Sequence, residues 1–350
     1  MLTTRQMKLL VNMPKAENHI HIEGSISWEL ALQLAKKNKV KLPADTLEGL
    51  SAWVWDNLKK DALAGFMLCD RTIISVCQHE EDFMENVLTL ARDAARQNII
   101  YQEMHLDYPL VEDRLPIEVV MEGYREGQKR AKERYGVEVV FIAGLDRTFS
   151  SEKCVNFVKK LEKYLDMVDG LGMDCEEFGN GPEKHVASYK LAEEMGLFLT
   201  AHAGEELGPQ SVWDAINLLH CKRIDHGVRC LGDPKLVQYL AENEIMCATC
   251  PTSSIITKGA ESFENHPVTK MMRAGIPVSI SSDDPPYMAD VVQEMTNAIE
   301  KMGFTEEEII KCARNAFAYS IKGQKYLGLF DRWVEDFYRQ EGYIHSPFYR

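Results

Sequence analysis

The feature that most constrains this chain is a series of eight short apolar runs, each followed by a stretch with helical spacing. The runs are Glu17 to Ser25, Ile99 to Leu106, Val137 to Leu145, Val168 to Asp174, Phe198 to Glu206, Arg223 to Val228, Ile245 to Pro251 and Pro277 to Pro285. Short apolar runs bounded by Gly, Pro, Asn or Asp read as buried strands, and strands alternating with helices read as βα units on a parallel sheet. Such units in series predict an α/β fold, a (β/α)8 TIM barrel. An open doubly wound sheet usually has fewer strands and a glycine-rich phosphate turn after the first, and no G-x-G-x-x-G pattern occurs here.

Two stretches exceed a minimal barrel. Residues 27–97 read as mostly helical, from Trp28, Leu30 and Leu34 to Phe83, Val87 and Leu90, which is more than one crossover helix needs. This helical insertion, with Trp53, Trp55, Phe66 and Met67, either covers the mouth of a site or packs on the surface. The tail, from Asp290 through Leu327 to Tyr343, is predicted helical throughout. A length of 350 residues suits one domain, since such barrels run to about 250 residues and more. The expectation is one barrel domain over 1–350.

Net charge narrows the partners. A formal charge of −14 argues against a nucleic-acid backbone, which needs clustered Lys and Arg. No run approaches the ~18 apolar residues of a membrane span, and the first residues lack a signal-peptide pattern. The nine cysteines are odd in number and scattered, which suits reduced thiols in the cytoplasm. Cys247 and Cys250 form a lone C-x-x-C within an apolar strand and are expected to be buried thiols. A small molecule is the expected partner; oligomeric state is not legible.

Chemistry gathers at strand ends. His19 and His21 lie two apart in the first strand and so share a face. His202 ends the fifth strand, His226 the sixth, and Asp283 and Asp284 the eighth. In a closed parallel barrel the C-terminal strand ends meet at one rim. Three imidazoles and one carboxylate suit zinc with a position left for water, whose pKa bound zinc lowers to about 7. That constellation implies hydrolysis. Glu205, three residues after His202, is placed to carry a proton if burial raises its pKa. Adjacent Asp283 and Asp284 would point apart in a regular strand, one towards a metal and the other towards a substrate. Taken singly, His226 fits a metal site or a structural role equally, and Asp283-Asp284-Pro285-Pro286 fits an ordinary turn.

These segments together resemble the adenosine deaminase family, including its adenine deaminase branch. The resemblance rests on Pro14 to Glu17 with His19-Ile20-His21, Phe178-Gly179-Asn180, His202 to Glu205, Arg223 to Gly227, Cys250 to Ser254 and Ser282 to Pro285, in family order. It implies one zinc per chain held by His19, His21, His202 and Asp283, with His226 orienting the attacking water. It further implies that Glu205 protonates N1 of a purine, Gly179 offers its N–H to N3, Asp284 engages N7 and Glu23 stands where an acid contacts ribose. The implied reaction is hydrolytic deamination of a 6-aminopurine, adenine or adenosine. Glu23 and the Arg223 to Gly227 segment look closer to the adenine branch, whereas Cys250 to Ser254 and Thr257-Lys258-Gly259 look closer to bacterial adenosine deaminases. A modified 6-aminopurine or related heterocycle therefore stays open. A different metal-dependent amidohydrolase on the same barrel commonly needs a Lys near the end of strand four, and none lies between Val168 and Asn180. A binding protein with a purely structural zinc would not need Glu205 and His226.

Overall fold

The computed structural model describes residues 1–60 and 62–340. Its centre is a ring of parallel strands in chain order: β1 (Lys15–His21), β2 (Ile99–Leu106), β3 (Glu138–Asp146), β4 (Val168–Asp174), β5 (Phe198–Ala203), β6 (Arg223–His226), β7 (Met246–Thr249) and β8 (Val278–Ile280). The first and last strands meet through an isolated parallel bridge between Ile20 and Asp283. There the His21 N–H donates to Asp283 O (3.0 Å) and the Asp283 N–H to His19 O (3.2 Å). This is the expected (β/α)8 barrel. Nearly every strand residue is buried, because helices cover the outside and side chains fill the inside.

The strands stop earlier at the rim than their apolar patterns do. β5 ends at Ala203, β6 at His226 and β8 at Ile280, although the runs continue for two to five residues. The cause is backbone geometry: Cys175 (φ 69°), Gly204 (68°), His226 (65°), Gly227 (68°) and Asp283 (66°) all adopt the left-handed conformation just at or past the strand ends. Side chains other than glycine adopt it at a cost of order 1 kcal/mol or more, and such strain gathers at functional sites.

Residues 27–97 form four helices, Trp28–Asn38, Leu47–Lys60, Ala62–Ile74 and Glu80–Arg96. The last packs on the strands and on helix Ile117–Tyr135, where Gly123 and Gly127 let the two helices approach closely. Helix Ala62–Ile74 instead reaches the C-terminal rim. The tail departs from the uniform helix expected of it. It divides into Val291–Glu300, Glu306–Ala318, a 3-10 turn at Gly323–Tyr326 and Leu327–Gln340. Gly303 at φ 73° turns the chain, and Thr305 and Glu308 cap the next helix reciprocally, each side chain accepting from the other's backbone N–H. Residues 341–343 of that expectation lie outside the described residues. No described helix is long and apolar enough to cross a membrane.

Candidate active site

The cavity at the C-terminal rim is built from strand ends. His19 and His21 leave β1 on one face as their spacing requires, and His202 comes from β5. Asp283 comes from the left-handed turn after β8. The Nε2 atoms of His19 and His202 lie 3.0 Å apart, those of His21 and His202 3.2 Å apart. Asp283 Oδ1 sits 3.2 Å from His19 Nε2 and 3.5 Å from His21 Nε2. One donor atom from each of the four falls within 4.8 Å of the others.

The other ring nitrogens decide what this cluster can hold. His21 Nδ1 faces Asp107 Oδ2 at 2.8 Å and His19 Nδ1 faces the Ala248 carbonyl at 3.4 Å. The Ala248 carbonyl accepts only, so His19 Nδ1 carries the proton and its Nε2 turns a lone pair inward; with a cation at the cluster to draw the His21 Nε2 lone pair, His21 Nδ1 donates to Asp107 in the same way. Lone pairs and a carboxylate crowded at one point repel each other, and a cation placed among them reverses the sign. The donor set therefore fits a divalent metal ion. Asp225 stands behind it, 4.0 Å from His19 Nδ1 and 3.9 Å from His202 Nδ1. It is kept ionised, at about 2, by the neighbouring Arg223 and histidines against the cost of burial.

Glu205 and His226 face each other beside this cluster, with Oε2 and Nε2 3.5 Å apart. Burial, reinforced by Asp283 and Glu177, pushes the Glu205 carboxyl up to about 8, so it is neutral at pH 7. Burial and the adjacent His19 push His226 down to about 3, so it is a neutral imidazole there. A neutral acid beside a neutral base is a pair able to give and take one proton each. Asp284 also lines the cavity; burial first and Asp283 second hold its carboxyl well above the usual range. Gly24 makes room for it, since a Cβ there would lie 1.9 Å from Asp284 Oδ1.

Two expected substrate contacts do not reach the cavity. Gly179 is exposed on a turn five residues beyond β4, where nothing lies within 4 Å of a Cβ built on it. The residue that enters the cavity after β4 is Cys175, at φ 69°. The chain then turns outward because Glu177 is pulled in by the loop after β5. Glu23 is fully buried, but its carboxylate accepts from the Tyr124 hydroxyl at 2.6 Å and does not line the cavity.

Several groups were not legible as site residues. Asp107 follows β2 and Asp174 ends β4, both strand-end positions that the same rule could have flagged. Asp70, with Phe66 and Met67, comes from helix Ala62–Ile74, so that part of the insertion lines the cavity. Arg147 is buried and closes the gap where β4 and β5 part, donating to His202 O at 3.0 Å and pairing with Glu177 at 3.4 Å. His105, in register with His21, stacks on its ring at 4.9 Å. Cys247 and Cys250 are buried and free, as expected.

The fold and the converging groups define the class: a hydrolase carried on a (β/α)8 barrel. The model of the family described as "Adenosine deaminase" matches residues 14–331, and the chain belongs to that family. It is a hydrolase acting on carbon–nitrogen bonds in cyclic amidines. An adenine deaminase of Hahella chejuensis is 33% identical over 314 residues, 89% of this chain and 92% of that protein. An adenosine deaminase of Shewanella loihica is 31% identical over 307 residues, 87% and 93% of the two. The crystal structure of an adenine deaminase from Arthrobacter aurescens superposes with a TM-score of 0.87 at 29% identity, covering 92% of this chain and 99% of that one.

Proposed function

We propose that the chain is a zinc-dependent aminohydrolase that deaminates a 6-aminopurine, with adenine the favoured substrate, giving hypoxanthine and ammonia. The observation that carries this reading is the neutral Glu205–His226 pair set against the cluster of three imidazoles and Asp283. His19, His21, His202 and Asp283 would hold one zinc ion, which when bound supplies a Lewis acid that makes water nucleophilic near neutral pH.

His226 orients the attacking water and accepts its proton. Glu205 gives its own proton to ring N1 as C6 is attacked, which removes the ring charge that attack would otherwise build. His226 then passes the proton it took from water to the N6 amino group, the C6–N6 bond breaks with its electron pair leaving on ammonia, and the C6 hydroxyl returns a proton to Glu205 as the 6-oxo group forms. Asp284 faces N7 from the opposite side. The withdrawal of Glu23 onto Tyr124 removes the acid expected to meet a ribose, which favours a base over a nucleoside. The names of the relatives in both branches support the 6-aminopurine ring itself.

This reading takes 1–350 as one barrel domain, with part of the 27–97 insertion as a lid over the cavity. The nine free cysteines support a reducing compartment, the cytoplasm. The test is ultraviolet loss of adenine, adenosine and N6-substituted purines with ammonia release, before and after chelation. Adenine turnover that chelation abolishes and zinc restores is expected; metal-loaded protein inert towards every 6-aminopurine refutes the proposal.

A further inference from the structure

Asp283 reaches the donor cluster from a segment that the sheet scarcely holds. β8 stops at Ile280, and the ring closes onto β1 through an isolated bridge between Ile20 and Asp283. Asp283 itself sits at φ 66°, a conformation that a side chain other than glycine keeps only where its surroundings hold it. A further tether is needed to fix the turn.

Glu17 supplies one. It is 1% exposed, and its Oε1 accepts from both the backbone N–H of Ser282, at 3.0 Å, and the Ser282 hydroxyl. Its Oε2 accepts from Gln102 Nε2 at 2.7 Å. Ser282 immediately precedes Asp283 and is equally buried, so its N–H and hydroxyl depend on this acceptor. The side chain reaches Ser282 because β1 is bulged: Glu17 pairs with Gln102 and Ile20 with Met104, so β1 spends one residue more than β2 over this stretch. Bulges of this kind re-aim side chains beside active sites. Here Glu17 lines a crevice between the barrel and helices Trp28–Asn38 and Glu80–Arg96, while His19 and His21 meet His202 in the cluster. One strand thus carries two of the four donors and grips the segment that brings another.

We propose that Glu17 is a positioning residue that sets metal affinity by holding Ser282, and through it the Asp283 carboxylate 3.2 Å from His19 Nε2 and 3.5 Å from His21 Nε2. The inference rests on the reading of that cluster as a zinc site. Groups that orient metal ligands from behind typically lower affinity about 10–100-fold when they are removed.

Zinc dissociation constants are measured on the metal-free protein by competition with a chromophoric chelator, alongside urea unfolding of the same samples. Glu17→Leu, which keeps the bulk and removes the acceptor, is expected to weaken zinc binding about 10–100-fold. Glu17→Gln keeps an oxygen for Ser282 once the Gln102 amide turns to accept from the new NH2 group, and is expected to bind zinc within about threefold of wild type. A leucine variant that loses stability but weakens zinc by less than about tenfold marks Glu17 as merely structural and overturns the proposal. So does a glutamine variant as weak as the leucine one, since the tether and not the charge is claimed. If Glu17→Leu fails to fold, Ser282→Ala, which deletes only the gripped hydroxyl, decides: a loss of about threefold or more is expected, and a smaller one overturns the proposal. Wild-type protein that takes up no zinc refutes the zinc reading itself, an outcome distinct from these.

Discussion

Glu177→Gln tests how the active loop is held. The Glu177 carboxylate is 1% exposed and accepts from the N–H groups of Gly204 (2.9 Å), Glu206 (3.2 Å) and Leu207 (2.6 Å) and from the Ser211 hydroxyl (3.1 Å). It also faces buried Arg147 at 3.4 Å. Glutamine keeps the shape but loses the charge and puts an NH2 group among donors. Removing one partner of a buried ion pair costs about 3–5 kcal/mol, because the remaining charge stays desolvated. Hydrogen bonds to a charged group are worth about 1.5–3 kcal/mol each, yet these do not add to the pair because the loop relaxes into water. The expected loss is therefore about 3–5 kcal/mol in urea unfolding. The loop carries Glu205, and a displacement of about 1 Å there lowers kcat about 100-fold. The exposed neighbour Glu176→Gln should change stability by no more than about 0.5 kcal/mol. A Glu177→Gln protein that loses under about 1 kcal/mol and keeps its turnover would refute the claim that this carboxylate sets the loop.

Further expectations follow from the same geometry. Glu205→Gln should keep its metal and lower kcat by about 10²–10⁴-fold, whereas His202→Ala should lose metal as well; wild-type turnover in the glutamine variant would remove Glu205 from its role. In its proposed role Glu205 acts when protonated, and burial pushes its carboxyl up to about 8, so kcat/KM should fall as pH rises through that value, and a profile flat to about pH 10 would contradict the assignment. Lys15 Nζ donates to Leu10 O (2.7 Å) and Met13 O (2.6 Å), and burial pulls its pKa from 10.5 down to about 7. Between those values the unfolded chain holds the proton and the folded one does not, so folding gains on unfolding as pH rises. Wild type should thus gain stability over Lys15→Met by up to about 1.4 kcal/mol per pH unit between about pH 7 and 10. A pH-independent difference in urea unfolding would show that Lys15 stays charged in the fold.

The order of elements was legible along the chain because each strand is buried on both faces and reads as an apolar run, and each helix shows its own period. The strand-end rule also put His19, His21, His202, His226, Asp283, Asp284 and Glu205 at one place, and the structure brings them together there, since in a parallel barrel every C-terminal strand end points at one rim. Gly179 was misplaced because a motif fixes sequence neighbours but not the direction in which a loop turns. Here Glu177 ties the loop to β5, so Cys175 enters the cavity and Gly179 leaves it. Glu23 likewise turned to Tyr124, a residue 101 positions away.

What the sequence alone determined was periodicity and the residue types at strand ends, both local properties of the chain. What only the tertiary structure decided was which carboxyls face one another. Asp107, Asp174, Glu177 and Arg147 acquire their surroundings from the strands and loops packed around them. Left-handed turns at Cys175, His226 and Asp283 are held by that packing against their intrinsic cost. Burial and charge in the closed ring, not residue type, make Glu205 an acid and Asp283 an anion.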